Sequence, residues 1–427
     1  MKISRIEVKN FKGFEQRIFN LSDQFTLLIG NNGSGKTAIL DALAVGAGSL
    51  FLGFDEVNAR NIRADEVRVV KREKGQIPTA NKQYPVSVIC AGTVAGIEIE
   101  WTRSLASSDG RTTRQEATKI LQISKELQEQ VRQGQDVLLP LIAYYGTGRL
   151  WLQKKEKSVE PVKPGSQMLG YVDCLDPASN QKQLLRWFKT MEMATIQRQE
   201  PIGVLEAMKA AISNCMEDWQ SVIYDVLEDE LLATSADGRI LPFRMLSDGV
   251  RNMLGMVADI AYRAAVLNPQ LQREAAQKTP GIVLIDELDL HLHPKWQRRV
   301  VEDLRRTFPA IQFIATTHSE HIVQSLRPGE LINLDPQTGE YHNKSIEDIS
   351  ENVMGVEMPQ RSERWQKMMK AAEEYYRVLE DAKDANPEQV EQLKIKLDEL
   401  TMPFSDDPAY QAFLKMERVA AGLGRET

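Results

Sequence analysis

The order of apolar and polar positions divides the chain into segments of different secondary structure. Polar and apolar residues alternate in "KISRIEVKNF" (2–11) and in further stretches between residues 64 and 103, which predicts an antiparallel sheet. Continuous apolar runs predict buried strands at 25–30, 137–146, 281–286 and 311–316. Helical spacing predicts helices at 37–45, 112–133, 246–266, 295–307 and 319–326. Strands that alternate with helices in this way are typical of an α/β fold.

The other parts of the chain have different patterns. Residues 147–177 are rich in Lys, Pro, Gly and Ser, and we expect an exposed loop there; amphipathic helices follow over 181–232. Beyond Ser345 the chain is predicted to be all-helical. Apolar residues at helical spacing form one stripe in that region, which consists of Trp365, Met368, Met369, Ala372, Tyr376 and Leu379. This stripe is predicted to be either an internal core or a docking surface for a partner.

Composition describes an ordinary globular protein with room for two or three compact units. The chain has 427 residues, of which 42% are hydrophobic and 26% charged. No apolar run reaches the roughly 20 residues that cross a bilayer. The alternating N-terminus lacks the apolar core of a signal peptide. Three widely spaced cysteines exclude a disulfide framework. We therefore expect a cytoplasmic protein with no membrane partner.

The net charge of −7 is concentrated at the C-terminus. Residues 345–427 contain 18 acidic and 11 basic residues, so the rest of the chain is balanced. A broadly basic, salt-dependent nucleic-acid surface is therefore not expected, although a local patch is compatible with this balance. The candidate patch consists of Lys295, Arg298, Arg299, Arg305 and Arg306. These residues are predicted to form either an ordinary solvent-exposed face or a contact with a second copy or with nucleic acid.

The strongest motif is "GNNGSGKT", Gly30 to Thr37, between an apolar strand and a helix. It matches the phosphate-binding P-loop, in which glycines let backbone N–H groups point at phosphate oxygens. Lys36 is predicted to reach the β- and γ-phosphates, and the Thr37 hydroxyl to bind Mg²⁺. The nucleotide-binding residues of the loop are then Asn31, Asn32, Gly33, Ser34, Gly35, Lys36 and Thr37. A glycine-rich turn without a ligand is the alternative.

A buried strand, "GIVLIDE" (281–287), delivers two carboxylates at its C-terminal end, where ligands bind in open α/β sheets. Asp286 is predicted to hold Mg²⁺, as in a Walker B motif, and Glu287 to orient or deprotonate the attacking water. A separate metal site that uses His291 and His293 is the weaker alternative, because their spacing fits a turn better than one helical face.

A third strand end carries His318. It lies 32 residues after Asp286, enough for one helix and one strand, so the two strand ends are predicted to be neighbours. His318 is then a candidate contact for the γ-phosphate or the attacking water, and a helix-capping histidine is the alternative.

The segment "LSDGVRNM" (246–253) contains Ser247, Asp248 and Gly249. By physical chemistry alone these residues form a helix cap or an anion site at a helix N-terminus.

Together these motifs resemble the ABC-type ATPases of the SMC, Rad50, RecF and OLD group. Residues 1–36 and 240–330 carry the resemblance, and Ser247–Gly249, which we call the signature segment, stand where that group has its signature motif. "YYGTGR" (144–149) and "LSDGVRNM" resemble the bacterial stand-alone ATPases that include the PtuA subunit of the Septu antiphage system and the retron-linked ATPases. The resemblance implies an ATPase head that uses ATP and Mg²⁺.

The resemblance also implies an architecture and partners. It implies an ABC-type P-loop head with an antiparallel β lobe, an inserted helical lobe and an all-helical C-terminal region. The expected divisions are 1–180 and 241–344 for the two halves of the head, 181–240 for the helical insertion and 345–427 for the acidic helical region. Two copies would sandwich ATP head to tail, as a dimer or a larger oligomer. They would control an effector, such as an HNH-type nuclease, with nucleic acid a further candidate ligand.

The sequence departs from this family in three places. Asp248 stands where transporters have a second glycine. No Q-loop glutamine is found, and Tyr144 and Arg149 are candidates to take its place. No long coiled coil fills the insertion. A RecF- or Rad50-like DNA-repair ATPase is the alternative function; a transporter subunit fits poorly because about 200 residues separate the P-loop from the signature segment.

Overall fold

In a computed structural model, two compact units are formed, Met1–Gly355 and Val356–Thr427. The structure describes residues 1–74, 77–148, 166–177, 181–216, 218–225, 227–336, 339–356 and 358–381. In the C-terminal part it further describes residues 389, 392, 395–396, 398–400, 402–406 and 408–420.

Strands and helices are numbered in chain order. The strands of the described residues are β1 (Lys2–Phe11), β2 (Phe14–Asn20), β3 (Phe25–Ile29), β4 (Val69–Lys74), β5 (Ile77–Lys82), β6 (Val86–Val94), β7 (Ile97–Leu105), β8 (Leu141–Tyr145), β9 (Trp219–Asp225), β10 (Glu230–Ser235), β11 (Ile240–Pro242), β12 (Gly281–Ile285), β13 (Ile311–Thr316) and β14 (Leu331–Asn333).

The α-helices of the same residues are α1 (Lys36–Ala47), α2 (Thr118–Arg132), α3 (Gln181–Arg198), α4 (Gly203–Cys215), α5 (Asp248–Leu267), α6 (Ala275–Lys278), α7 (Pro294–Gln297), α8 (Val300–Thr307), α9 (Glu320–Gln324), α10 (Ile346–Asn352), α11 (Glu363–Asp381) and α12 (Pro408–Ala420). The predicted helix at 295–307 is therefore two helices, α7 and α8.

A five-stranded parallel sheet forms the centre of the first unit, in the order β14-β3-β13-β12-β8. All residues of β3, β8, β12 and β13 are buried, as expected for strands covered on both faces. The four continuous apolar runs are thus confirmed as strands of one sheet. Because these strands are parallel, their C-terminal ends lie at the same edge of the sheet.

An antiparallel sheet, in the order β2-β1-β6-β7, packs next to the central sheet. Helix α1 joins the two, because Trp101 of β7 donates a hydrogen bond of 2.9 Å to the Gly46 carbonyl near the end of α1. A Cβ at Gly46 would lie 2.4 Å from the Cys90 sulfur, so only glycine allows α1 to approach β6 this closely. The predicted antiparallel lobe is confirmed.

The expectation of a purely helical insertion at 181–240 is wrong in its second part. Helices α3 and α4 are present, but residues 219–242 form a three-stranded antiparallel sheet in the order β11-β10-β9. Burial alternates along β9 and β10, with Val222, Tyr224, Leu231 and Ala233 on the inner face. This period of two is typical of a half-buried strand. The helical spacing of the residues before 219 led to the prediction of helix for this segment as well.

The expectation of an exposed loop at 147–177 is wrong for its described C-terminal part. Residues 149–165 lie outside the described residues, but 166–177 cover the outer edge of β8. The backbone N–H of Tyr144 donates to the Cys174 carbonyl at 2.7 Å. Met168, Tyr171 and Cys174 are buried. The unpaired polar edge of β8 explains this packing, since buried backbone groups need partners.

Among the described residues, Lys36–Gly53 has the length and apolar composition of a membrane-spanning helix, but 89% of it is buried within the fold. It consists of α1 and the turn after it. Its apolar residues are those of a core helix, and the P-loop leads directly into that helix.

The second unit has its own small core. Ala372, Tyr375 and Val378 of α11 pack with Leu414 of α12, and the Tyr375 hydroxyl donates to the Leu414 carbonyl at 3.0 Å. The stripe predicted as an internal core is therefore rotated, with Tyr375 buried rather than Tyr376; the side chain of Leu379 lies outside the described ones. The first unit extends to Gly355 and includes α10, so the expected boundary at 344 lies too early.

Burial of all three cysteines makes a prediction about their reactivity. Burial raises the pKa of Cys174 and Cys215 to about 12, and that of Cys90 far above its ordinary range. Since the thiolate is the reactive form, none of them should react quickly with a disulfide reagent at pH 8 in the native protein. In the unfolded chain, where the pKa of a thiol is about 8.5, all three cysteines should react with the reagent. A rapidly reacting native thiol would contradict this burial.

Candidate functional site

The P-loop has the backbone conformation that its glycines predict. Gly30, Gly33 and Gly35 have φ values of 147°, 85° and 102°, which side chains rarely adopt. A Cβ at Gly35 would also lie 2.5 Å from the ring of Phe14. The loop turns the chain from the end of β3 into the start of α1 at Lys36. The loop therefore needs glycine for its curvature and for its contact with Phe14.

Lys36 lies folded against the loop and is 8% exposed. Its ammonium group donates to the carbonyls of Gly30 and Asn31 at 2.7 Å and 3.1 Å. Burial lowers the pKa of Lys36, and nearby carboxylates, first Asp335 and then Asp286, partly oppose this. The loop thus holds the Lys36 ammonium group against its own backbone carbonyls, at the place where the motif predicts a phosphate contact.

Asp286 joins the P-loop to the sheet. It follows β12 directly, is 6% exposed, and accepts hydrogen bonds from the Thr37 hydroxyl at 2.9 Å and the Thr316 hydroxyl at 2.7 Å. The parallel register pairs Ile285 with Ala315, which sets Asp286 beside Thr316. The structure therefore brings the two predicted Mg²⁺ ligands, Thr37 and Asp286, together.

Glu287 turns away from the strand with a φ of 51°, in the left-handed region. Its backbone N–H donates to the Thr316 hydroxyl at 2.7 Å, and the next amide, of Leu288, donates to the Thr316 carbonyl at 2.8 Å. These bonds to the neighbouring strand hold an unfavourable conformation, of a kind that often occurs at functional sites. They direct the Glu287 side chain into the cleft beside the P-loop.

His318 reaches the same cleft from the end of β13. Its backbone N–H donates to the Asp289 carboxylate at 3.3 Å, and the Thr317 hydroxyl donates to that same oxygen at 2.5 Å. Asp289 thereby fixes the strand end on which His318 sits. The His318 side chain is exposed, while Ser319 rather than His318 caps α9.

These elements surround one cleft of about 430 Å³. Its lining residues are Lys12, Gly13, Phe14, Asn32, Gly33, Ser34, Gly35, Lys36, Thr37, Ala38, Asp286, Glu287 and His318. The P-loop, both carboxylates and the histidine, predicted from three separate motifs, therefore meet at one edge of the sheet.

Two side chains of this region were missed by sequence reasoning. Lys12, in the turn between β1 and β2, lines the cleft and forms an ion pair with Asp41 of α1. Asp335, after β14, accepts a 2.6 Å hydrogen bond from the Asn31 backbone N–H. The Lys-Gly turn in "FKGFE" was a signal for the first. Asp335 stands 304 residues from Asn31, and no local pattern indicates that contact.

The signature segment lies outside the lining of this cleft. Ser247 is the exposed N-terminal cap of α5, although its side chain makes no capping hydrogen bond, and Asp248 forms an ion pair with Arg251. Gly249 is buried, and a Cβ there would lie 2.2 Å from the His291 carbonyl oxygen. Gly249 is therefore required for packing inside the chain, while Ser247 faces solvent.

The candidates for a Q-loop substitute have different outcomes. Tyr144, at the end of β8, faces Asp41 of α1, and the guanidinium of Arg60 lies 5.9 Å from its ring centroid. Burial, and then the Asp41 carboxylate, raise the pKa of Tyr144 far above its ordinary range, so the phenol stays protonated. Arg149 lies outside the described residues.

The remaining candidates have structural partners. His293 caps α7 by accepting a hydrogen bond from the Lys295 backbone N–H at 3.2 Å. In the predicted basic patch, Arg299 and Arg306 pair with Asp303, and Arg305 is 3% exposed and pairs with Glu330. Charges that are paired in this way are poorly available to phosphates, which favours a structural role for this part of the patch.

A substitution at Thr316 tests how the site is held together. Thr316→Val removes the hydroxyl that donates to Asp286 and leaves the Glu287 N–H without its acceptor, so the unfolding free energy should fall by about 1–3 kcal/mol. Urea denaturation measures this change. Thr316→Ser keeps the hydroxyl and should regain most of the loss; valine and serine variants of equal stability would show that these bonds contribute little.

Comparison with known proteins is consistent with this geometry. A family model described as an AAA domain matches residues 5–220, half of the chain, and a second AAA-domain model matches residues 202–324. The chain is 27% identical to "Retron Vc95 probable ATPase" of Vibrio cholerae serotype O1 biovar El Tor over 384 residues, 76% of this chain and 72% of that protein.

Two further similarities are weaker, the first in the share of the chain that it covers and the second in sequence identity. The chain is 32% identical to "Septu protein PtuA" of Bacillus thuringiensis over 148 residues, 30% of this chain and 35% of that protein. A solved SMC head bound to the C-winged helix domain of ScpA superposes with a TM-score of 0.45 and 17% identity, over 75% of this chain and 91% of that chain. On the family model over residues 5–220, the chain belongs to the AAA-domain ATPases, and it is related to the ATPases of retrons and to Septu protein PtuA.

Proposed function

We propose that this ATPase is a molecular switch, in which two copies pair head to tail around ATP and thereby control a partner effector. One observation carries the proposal. The cleft gathers the P-loop, Asp286, Glu287 and His318 of one chain, whereas the signature segment lies outside its lining. A second copy, turned head to tail, would bring its own Ser247 to the open side of the cleft.

In this proposal the P-loop binds the triphosphate of ATP. The backbone N–H groups of residues 31–37 and the N-terminal end of α1 attract phosphate oxygens. The Lys36 ammonium would exchange its bonds to the Gly30 and Asn31 carbonyls for the β- and γ-phosphates. Lys12, which is paired with Asp41, also lines the cleft.

The site also fits Mg²⁺. A threonine hydroxyl and a carboxylate, 2.9 Å apart, are hard oxygen donors of the kind that Mg²⁺ prefers. Thr37 and Asp286 would hold the ion, whose positive charge, when it is bound, offsets the charge that develops on the phosphate oxygens.

Hydrolysis of ATP to ADP and phosphate needs a group that orients and deprotonates water. Glu287 has this role in the proposal, since its carboxylate enters the cleft from a backbone held by Thr316. His318 would contact the γ-phosphate or the water from the end of β13. The bonds of Thr316 to Asp286 and to the Glu287 N–H, and of Thr317 to Asp289, hold these two residues in place. A reacting water can be positioned only by groups that are themselves held in place.

The signature segment of the partner would complete the pocket. The N-terminus of α5 carries partial positive charge, and the exposed Ser247 hydroxyl is available to donate to a γ-phosphate. Asp248 would repel that phosphate, but its ion pair with Arg251 offsets the negative charge. ATP would thus act as part of the interface and couple its own hydrolysis to dissociation.

The effector is proposed from the relatives. The proteins that this chain resembles include retron ATPases and Septu protein PtuA. The motif resemblance implies an antiphage system with an HNH-type nuclease. We propose that the ATP-bound and released states present different surfaces to such a partner, so that nucleotide state controls the nuclease.

Glu287→Gln provides the test. The variant keeps the shape of the side chain but cannot accept a proton, so it should bind ATP, hydrolyse it at least about a hundredfold more slowly, and accumulate as dimers. Sedimentation velocity with and without Mg-ATP measures the association, and phosphate release measures the rate.

Lys36→Ala is the matched control. Without the ammonium group it should fail to bind ATP in isothermal titration and should sediment identically with and without nucleotide. If Glu287→Gln binds ATP yet never changes its sedimentation, head-to-tail pairing is wrong. If Glu287→Gln retains the wild-type rate, the assignment of the water-activating carboxylate is wrong.

A further inference from the structure

The two neighbouring tyrosines at the end of β8 contact different helices. Successive side chains of a strand point to opposite faces of the sheet. Tyr144 faces Asp41 of α1, the helix that the P-loop opens. Tyr145 points the other way and donates a 2.8 Å hydrogen bond to Asp259 of α5, the helix that begins at the signature segment.

The contact with α5 is a buried network and not a single bond. The same Asp259 oxygen accepts a 2.7 Å bond from the Arg263 guanidinium one turn further along α5. Arg263 also donates to the carbonyls of Gly170 and Val172, at 2.8 Å and 3.1 Å, in the segment that covers the edge of β8. Side-chain exposures of 7% for Arg263 and 17% for Asp259 leave little room for water, so the partners are strongly constrained.

Tyr145 is attached to the site by its backbone as well. Its carbonyl oxygen accepts a 2.8 Å hydrogen bond from the Asp286 N–H. Tyr145 therefore binds α5 through its hydroxyl and the segment of Asp286 and Glu287 through its backbone carbonyl.

A second attachment lies at the N-terminal end of α5. The Asn252 amide donates to the Leu290 carbonyl at 3.0 Å, and Gly249 packs on the His291 carbonyl. Between the two attachments runs the loop of residues 287–291. Both of its ends, Glu287 and His291, are non-glycine residues in the left-handed region, with φ values of 51° and 61°. Such a conformation persists where surrounding contacts hold it.

We propose that Tyr145 and Asp259 are positioning residues for ATP hydrolysis: they fix α5 to the strand end that precedes Asp286, and α5 in turn holds the loop that carries Glu287. Nothing in this arrangement requires a second copy of the chain. The inference rests on the proposed role of Glu287. It also gives Gly249 and Asn252 a function within their own chain, in addition to the proposed contact of the signature segment with a partner.

Tyr145→Phe in the full-length protein tests the inference, since it removes only the hydroxyl. Loss of one buried hydrogen bond at this point should lower kcat by about tenfold, while KM and the affinity for a non-hydrolysable ATP analogue change by less than about twofold. Phosphate release gives kcat and KM, and isothermal titration gives the affinity. Asp259→Asn, which keeps the shape but removes the charge, should show the same division between kcat and affinity.

Tyr171→Phe is the control for a merely structural effect. Its hydroxyl makes an equally short buried bond, 2.8 Å, to the Pro140 carbonyl and not to α5. The two phenylalanine variants should lose comparable thermal stability, and only Tyr145→Phe should lose kcat. The inference is overturned if Tyr145→Phe turns over at the wild-type rate, if it loses ATP affinity instead of kcat, or if Tyr171→Phe loses kcat equally. A fully active Glu287→Gln would instead remove the proposed function, whatever the tyrosine variants do.

Discussion

The Asp286 carboxylate is the point at which the phosphate-binding loop and the central sheet are joined. It is 6% exposed and accepts hydroxyl hydrogen bonds from Thr37 on one side and Thr316 on the other. A buried carboxylate is unfavourable without such partners, so its position depends on the start of α1 and on the parallel register of β12 and β13. Glu287 follows Asp286 directly in the chain, and the Asp286 N–H binds the carbonyl of Tyr145, whose hydroxyl binds α5, so the segment of Asp286 takes part in both the cleft and the attachment of α5.

Much of this site was predictable because its chemistry imposes local sequence rules. A chain that curls around phosphate needs glycine at φ values such as those of Gly33 and Gly35, and a fully covered parallel strand needs a continuous apolar run such as 281–285. The C-terminal ends of parallel strands share one edge, which was sufficient to expect that Asp286 and His318 are neighbours. The fold class and the central sheet followed from the same patterns.

The remaining features depend on contacts between distant residues. The sheet at 219–242 follows two helices with no marked change of composition, and the stripe of α11 is rotated because it packs on α12, which local periodicity does not determine. Segment 166–177 follows a stretch rich in Lys, Pro and Gly, but half of its own residues are apolar, and Met168, Tyr171 and Cys174 are buried beside the edge of β8. The bond between Tyr145 and Asp259 spans 114 residues. Gly249 looked like part of a ligand site, and the contact with His291 that requires glycine there became visible only in the fold.

A mixing experiment tests most directly whether two chains complete one another. Lys36→Ala lacks the lysine of the P-loop, and Ser247→Arg places a bulky side chain at an exposed helix terminus, outside the lining of its own cleft. Each variant alone should be inactive, whereas a mixed dimer contains one site with both elements intact, so an equimolar mixture should regain about a quarter of the wild-type ATPase rate. A mixture as inactive as its components, or a Ser247→Arg protein that is fully active alone, would contradict the shared site.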